Sequence, residues 1–302
     1  MVFSSGLPVT LLEESNLLVS LGSIVVLLAI FGGFAMQGGH LAALFQPTEL
    51  LMIAGAAIGS FVVSNDAKAI RATLHAIPSL FDGTKYTKSL YMELMSLLFE
   101  ILSKIRKEGL MSLEYDIDNP HESALFTKYP RTLADHLILE FITDYLRLMV
   151  SGNMDAYQIE NLMDNELETH DDDSEIPIQT ISQLADAMPA FGIVAAVMGI
   201  VHTMASVGLP PAELGVLIAN ALVGTFIGIL LSYGFVAPLA SLLRRKHQET
   251  AKMFQCVKVT LLASLNGYAP ALAVEFGRKV ISATERPTFN ELEKQVRQMR
   301  VK

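Results

Sequence analysis

Thr225 is the side chain best placed to do chemistry inside an apolar run of this sequence. It lies between Gly224 and Gly228 in ALVGTFIGILL, where a hydroxyl can donate or accept a hydrogen bond in a region poor in water. Ala196, in GIVAAVMGIV, stands at a similar depth in the preceding run: Ala196 is 11 residues before Val207 and Thr225 is 11 after Leu214, about 16 Å from a turn at Pro210-Pro211. Gly192 and Ala196, and Ala195 and Gly199, are small residues four apart, the spacing that lets helix backbones approach closely in lipid. Pro189 and Pro238 sit at the opposite end of the two runs, where each frees a helix carbonyl and allows a kink. Between Asp186 and Arg244 the one formal charge is Glu213, beside the turn, and the one imidazole, His202, also lies toward the turn. Ion pathways need ionisable groups within the membrane. If these runs line such a path, the protonatable group is expected from another chain. Plain helix packing accounts for the same glycines and prolines, and on spacing alone it is the favoured reading.

The elements that must position these residues are membrane helices. Each run is about 20 residues, enough to cross a hydrocarbon core of roughly 30 Å. Residues 188–238 thus read as a helical hairpin. Two further apolar stretches come earlier, 17–36 and about 50–63, the latter with an alternative start at Phe45; the second is brief for a full span, and Glu49 marks its edge. Ten of the 22 basic residues fall within 68–147 and twelve within 244–302, with none in the first 67 positions or in 148–243. Positive charge stays on the cytoplasmic side, so four spans put both termini there. The expected organisation is an N-terminal lead-in (1–16), two spans (17–64), a helical cytoplasmic domain (65–184), the hairpin (185–243) and cytoplasmic C-terminal helices (244–302).

The insert reads as helical. Leu90, Leu94, Leu97, Leu98, Ile101 and Ile105 form one apolar stripe, predicting a helix over 87–108 that Gly109 ends. A second amphipathic helix is predicted over 130–150 and a third over 155–168, followed by a linker at Asp171-Asp172-Asp173 and Pro177. After Pro238 the helical pattern continues to about Asn266, a short helix starts at Pro270, and the tail beyond Pro287 reads as charged and exposed. The fold class is therefore all-α: a polytopic membrane protein with four transmembrane helices and a helical cytoplasmic domain.

Composition narrows the function. The chain has 302 residues, 51% of them hydrophobic, and a net charge of −9. That balance offers no basic field for nucleic acid. One cysteine, Cys256, excludes an internal disulfide. There is no P-loop, no H-E-x-x-H and no G-x-S-x-G, so an enzyme is not expected.

The sequence resembles the MotA/PomA family of flagellar stator subunits, within the wider MotA/TolQ/ExbB proton-channel family. The matching stretches include PAFGIVAAVMGIVHTM, ALVGTFIGILLSYGFVAPLA, MFQCVKVTLLASLNGYAPALAVEFGRK, FQPTELLMIAGAAIGSF and ADHLILEFITDYLRLMVSG, and run from about residue 18 to 297. The resemblance implies an ion-driven rotary machine in the bacterial inner membrane. Five copies would surround two copies of a MotB-type partner, whose transmembrane Asp carries the ion. It also implies torque contacts with the rotor protein FliG through Arg106 in KIRKEG and Glu114 in MSLEYD. Pro189 and Pro238 would shape the conformational change coupled to proton binding. Sodium-driven relatives carry Thr at the position of Ala196; a dehydrated Na⁺ needs oxygen ligands there, whereas H⁺ does not. The implied coupling ion is H⁺ rather than Na⁺, with no further cofactor. Alternatives are a TolQ/ExbB-like force transducer, usually of three spans, and a non-transporting membrane scaffold. Residues 1–16 extend beyond the usual start of the family and carry no inferred role.

Overall fold

The computed structural model describes residues 9–300, and among them there is no strand. Of the expected lead-in, residues 1–8 lie outside the described residues. Helix α1 (Val9–Leu27) passes through a π-helical turn, Leu28–Gly32, into α2 (Gly33–Met36). Gly38, at φ +81°, supports the reversal that follows. Helix α3 (Pro47–Ser64) opens with Pro47 in its first turn, where a missing N–H costs nothing. With the preceding 3₁₀ turn, the second apolar segment covers Leu41–Ser64, 24 residues. It is thus longer than hydropathy indicated, and Glu49 lies inside it. Asp66 caps α4 (Ala67–Ser79) by accepting from the Ala69 N–H at 2.7 Å.

Helix α5 (Lys88–Glu108) is capped by Thr87 and stopped by Gly109 at φ +86°, as the sequence predicts. A 3₁₀ turn leads into α6 (Glu114–Asp118). The single helix expected over 130–150 is two helices, α7 (Pro130–Ala134) and α8 (His136–Ser151). Asp135 breaks it. Its backbone is extended, and its carboxylate accepts from Ile138 N–H and pairs with Lys85 at 2.8 Å. A short acidic side chain that bonds the backbone competes with helix continuation.

Helix α9 (Ala156–Met204) runs unbroken for 49 residues, so the expected linker is absent. Ile159, Met163, Ile178, Ile181 and Ala185 are buried along it, while Asp171, Asp172 and Asp173 are exposed. The acidic run is the solvated face of a helix whose apolar stripe continues. Pro177 and Pro189 both lie within it. Helix α10 (Pro211–Leu231) leads through a second π-helical turn, Ser232–Val236, into α11 (Ala237–Leu265). Helix α12 (Pro270–Val280) follows. The tail expected to be free is instead α13 (Phe289–Arg300), with Leu292 and Val296 buried. A reciprocal cap starts it: Thr288 N–H donates to Glu291 at 2.7 Å, and Glu291 N–H donates to Thr288 Oγ1 at 3.3 Å.

The chain folds as two compact units. One takes the chain up to Thr84 together with Ser174–Lys246, and holds the first two apolar segments and the apolar parts of the third and fourth; this is a multi-pass membrane protein. The other takes Lys85–Asp173 together with the chain from His247 onward. The C-terminal helices, expected as a separate element, share this second core. It gathers Leu94, Leu98 and Ile101 of α5, Phe141 and Tyr145 of α8, Phe254 and Val257 of α11, and Val274 of α12. Phe141 packs edge-on against Phe254 with ring centroids 4.9 Å apart.

Candidate functional site

In the membrane unit, α9 and α10 meet backbone to backbone. A methyl group added at Gly192 would lie 2.9 Å from the carbonyl oxygen of Gly224, 3.2 Å from Gly228 Cα and 3.4 Å from Thr225 Cα. One added at Gly228 would lie 2.7 Å from the Met188 carbonyl oxygen. One at Gly199 would lie 2.8 Å from Ala221 Cβ. Lipid gives no hydrophobic drive for helix pairing, so this close approach is where the packing energy comes from. Ala195 and Ala196 are both buried at the seam, while Thr225 is half-buried beside Gly224. The structure thus brings Gly192, Ala196, Gly199, Gly224, Thr225 and Gly228 into one seam.

The two prolines sit in different settings. Pro189 is inside α9 and half-buried, one residue past the buried Met188. Pro238 is the second residue of α11, exposed, directly after the π-helical turn. A proline there has no N–H for the Gly234 carbonyl, and its ring crowds that carbonyl. The helix widens over Ser232–Val236 to accommodate it. Ser232 is fully buried in that turn, and its hydroxyl has no hydrogen-bond partner among the described residues.

The seam also holds a residue that the sequence placed at an edge. Glu49, in the first turn of α3, is 8% exposed. Its Oε2 lies 2.6 Å from where a methyl on Gly224 would be, and its Oε1 3.8 Å from one on Gly199. Hydropathy and spacing show a lone Glu near a helix start. They carry no signal of which helix it will lean against.

Arg106 and Glu114 belong to the other unit. Arg106 is in the last turn of α5 and Glu114 begins α6; both are exposed, and neither has an ion-pair partner among the described residues. Their separation is set by Gly109 and the Leu110–Leu113 turn, and by a clasp that sequence reasoning missed. Asp116, 6% exposed, accepts from Lys104 Nζ and from Ser123 Oγ, each at 2.6 Å. That carboxylate ties α6 to α5, with Lys104 two residues from Arg106 and Asp116 two from Glu114. A charge pair so placed holds its elements through charge-assisted hydrogen bonds.

Comparison with known proteins bears on both places. The Motility protein A N-terminal family matches residues 20–109, and the MotA/TolQ/ExbB proton channel family matches residues 133–256. Over 284 residues the chain is 58% identical to Motility protein A of Salmonella typhimurium, covering 94% of this chain and 96% of that protein. It is 38% identical over 274 residues to chemotaxis protein LafT of Vibrio parahaemolyticus, covering 91% of this chain and 96% of that one. The flagellar MotAB stator complex from Bacillus subtilis contains a chain of similar structure, with TM-score 0.70 and 25% identity, covering 84% of this chain and 92% of that chain. C. jejuni MotAB contains another, with TM-score 0.75 over 92% of this chain and 99% of that chain; at 17% identity it speaks to the fold alone. The chain belongs to the motility protein A family, a branch of the MotA/TolQ/ExbB proton channel family.

Proposed function

We propose that this chain is the larger subunit of a flagellar motor stator and that, with a MotB-type partner, it couples H⁺ entry to torque on the rotor. The observation that carries this reading is the near full-length likeness to Motility protein A, at 58% identity. A solved relative is titled a flagellar MotAB stator complex. The α9–α10 seam supports the coupling: it brings Ala196 and Thr225 beside glycines that leave the helix backbones in contact. The partner is a MotB-type subunit that supplies a transmembrane Asp, with five copies of this chain around two of the partner. The chain resides in the bacterial inner membrane with both termini cytoplasmic.

Arg106 and Glu114 are exposed and have no ion-pair partner among the described residues, which suits contacts with complementary charges on FliG. Exposed ion pairs contribute about 0–1 kcal/mol each, a strength suited to contacts that re-form at every step. Pro189 and Pro238 shape the helix bending that follows proton binding on the partner. Ala196 presents a methyl group where coordination of a bare Na⁺ needs oxygen, so the coupling ion is H⁺.

The test is tethered-cell rotation in a strain lacking its own stator, complemented with this chain and its cognate partner. The expected outcome is rotation that ignores external sodium at fixed pH and stops when a protonophore is added. Rotation that requires sodium would keep the stator and overturn the ion. An assembled complex that never rotates the cell would overturn the stator reading.

A further inference from the structure

The seam's small residues are the face of a slot, and Glu49 fills it. Glu49 is the third residue of α3, a position from which a glutamate ordinarily reaches back to bond the N–H at the helix start. It does not do so here. Its side chain extends across to the other two helices, between Gly199 of α9 and Gly224 of α10. Its Oε2 is inaccessible to solvent and has no hydrogen-bond partner among the described residues. A methyl group at Gly224 would lie 2.6 Å from that oxygen, so the carboxyl would have to shift to admit it. Gly199 is three residues from Ala196 and Gly224 adjoins Thr225, so the carboxyl lies within about one helical turn, ~5 Å, of their level.

A fixed carboxylate in such a slot, with no cation and no donor among the described residues, would carry a large desolvation cost. A carboxyl that takes and gives a proton as its surroundings change avoids that standing cost. Membrane-embedded carboxyls of this kind mark proton relays.

Resting on the stator reading above, we propose that Glu49 is a proton-relay carboxyl contributed by this chain itself, on the Pro210 side of Ala196 and Thr225. In the relay step the carboxyl O–H bond breaks, and the proton passes to a water molecule or to the partner's carboxylate. The resulting Glu49 carboxylate then takes a proton from a hydronium ion arriving from the Pro210 side. No redox change occurs, and each cycle returns Glu49 to its starting form.

The experiment compares wild type with Glu49→Gln, Glu49→Asp and Glu49→Ala, each expressed as the full chain with the cognate partner. It measures tethered-cell speed against external pH, and complex recovery from membranes by co-purification. Gln keeps the shape and removes the exchangeable proton; Asp keeps the proton on a shorter arm. The expected result is E49Q complex at wild-type level with speed reduced at least about tenfold, and E49D faster than E49Q with an altered pH profile. Should E49Q not be recovered, E49A takes its place and the same loss of speed is expected. E49Q turning at wild-type speed with an unchanged pH profile would overturn the proposal. So would E49D as slow as E49Q, or loss of the complex in both E49Q and E49A, which would make the carboxyl a structural group. Failure of the wild-type control to rotate is a separate outcome, counting against the stator reading and with it this relay.

Discussion

At the residue scale, the seam separates glycines that have no room for a side chain from glycines that do. Gly228 faces the Met188 carbonyl and Gly192 faces that of Gly224, whereas nothing lies within 4 Å of a methyl placed at Gly215 on the same helix. Gly228→Ala therefore must push two backbones apart, and the expected cost is about 1–3 kcal/mol of helix-packing energy. Gly215→Ala should be neutral, or gain up to about 1 kcal/mol from helix propensity. Thermal aggregation midpoints of the detergent-solubilised complex would check this. Equal midpoints for the two variants would show that the close approach contributes little. The clasp at Asp116 is also a matter of single atoms. Lys104→Met leaves a largely buried carboxylate with Ser123 as its remaining side-chain donor, at an expected cost of about 1–3 kcal/mol. If Glu114, carried by α6, has the proposed torque role, rotation speed should fall while membrane levels hold. Unchanged torque in K104M would show that α6 is held by its apolar contacts, Leu113 and Ile117, without the ion pair.

At the scale of elements, α13 owes its start to the Thr288–Glu291 cap and its docking to Leu292 and Val296. Hydrogen bonds from Lys88 and then from Thr288 hold the Glu291 carboxyl down to about 2. Arg278 holds the Glu275 carboxyl below its usual value through two hydrogen bonds of 2.6 Å, and also donates to the Pro287 carbonyl. Both groups have depressed folded-state values. Their stabilisation is present above the unfolded value of about 4.5 and is lost as pH falls toward 2. Hydrogen exchange should therefore show α13 loosening between about pH 4.5 and 2, earlier than the α5 and α8 amides of the same core. Thr288→Ala, which removes one half of the cap, should shift that loosening to higher pH at a cost of about 1 kcal/mol. An α13 that exchanges in step with α5 across this window would show that the cap does not control its docking.

At the scale of the whole molecule, the proposed orientation rests on charge placement. Every Lys and Arg falls in two blocks, and both border apolar runs, with Lys68 and Arg71 just after the second segment and Arg244, Arg245 and Lys246 following the apolar part of the fourth. Near-membrane positive charge stays cytoplasmic. Cys256 is buried and is the one cysteine, so a Cys256→Ala background allows single-site labelling. A membrane-impermeant maleimide should label His40→Cys and Gly208→Cys in intact cells, and Asn153→Cys after lysis. The reverse pattern would invert the topology.

Much of this was readable from local pattern. Four spans follow from apolar runs long enough for a bilayer, and α5 from a stripe at helical spacing between Thr87 and Gly109. These are properties of neighbouring residues, and neighbours in sequence are neighbours in a helix. The tertiary structure decided what depends on the other side of a contact. Asp135 splits one predicted helix into α7 and α8 because its carboxylate meets Lys85 and the backbone of Ile138. The acidic run and Pro177 do not interrupt α9, because buried Ile159, Met163 and Ile178 on the opposite face carry the helix past them. Glu49 becomes a seam residue because two glycines, far along the chain on two different helices, leave a slot that its side chain reaches. Periodicity reports which face of a helix is apolar; what that face meets is settled when helices distant in sequence pack.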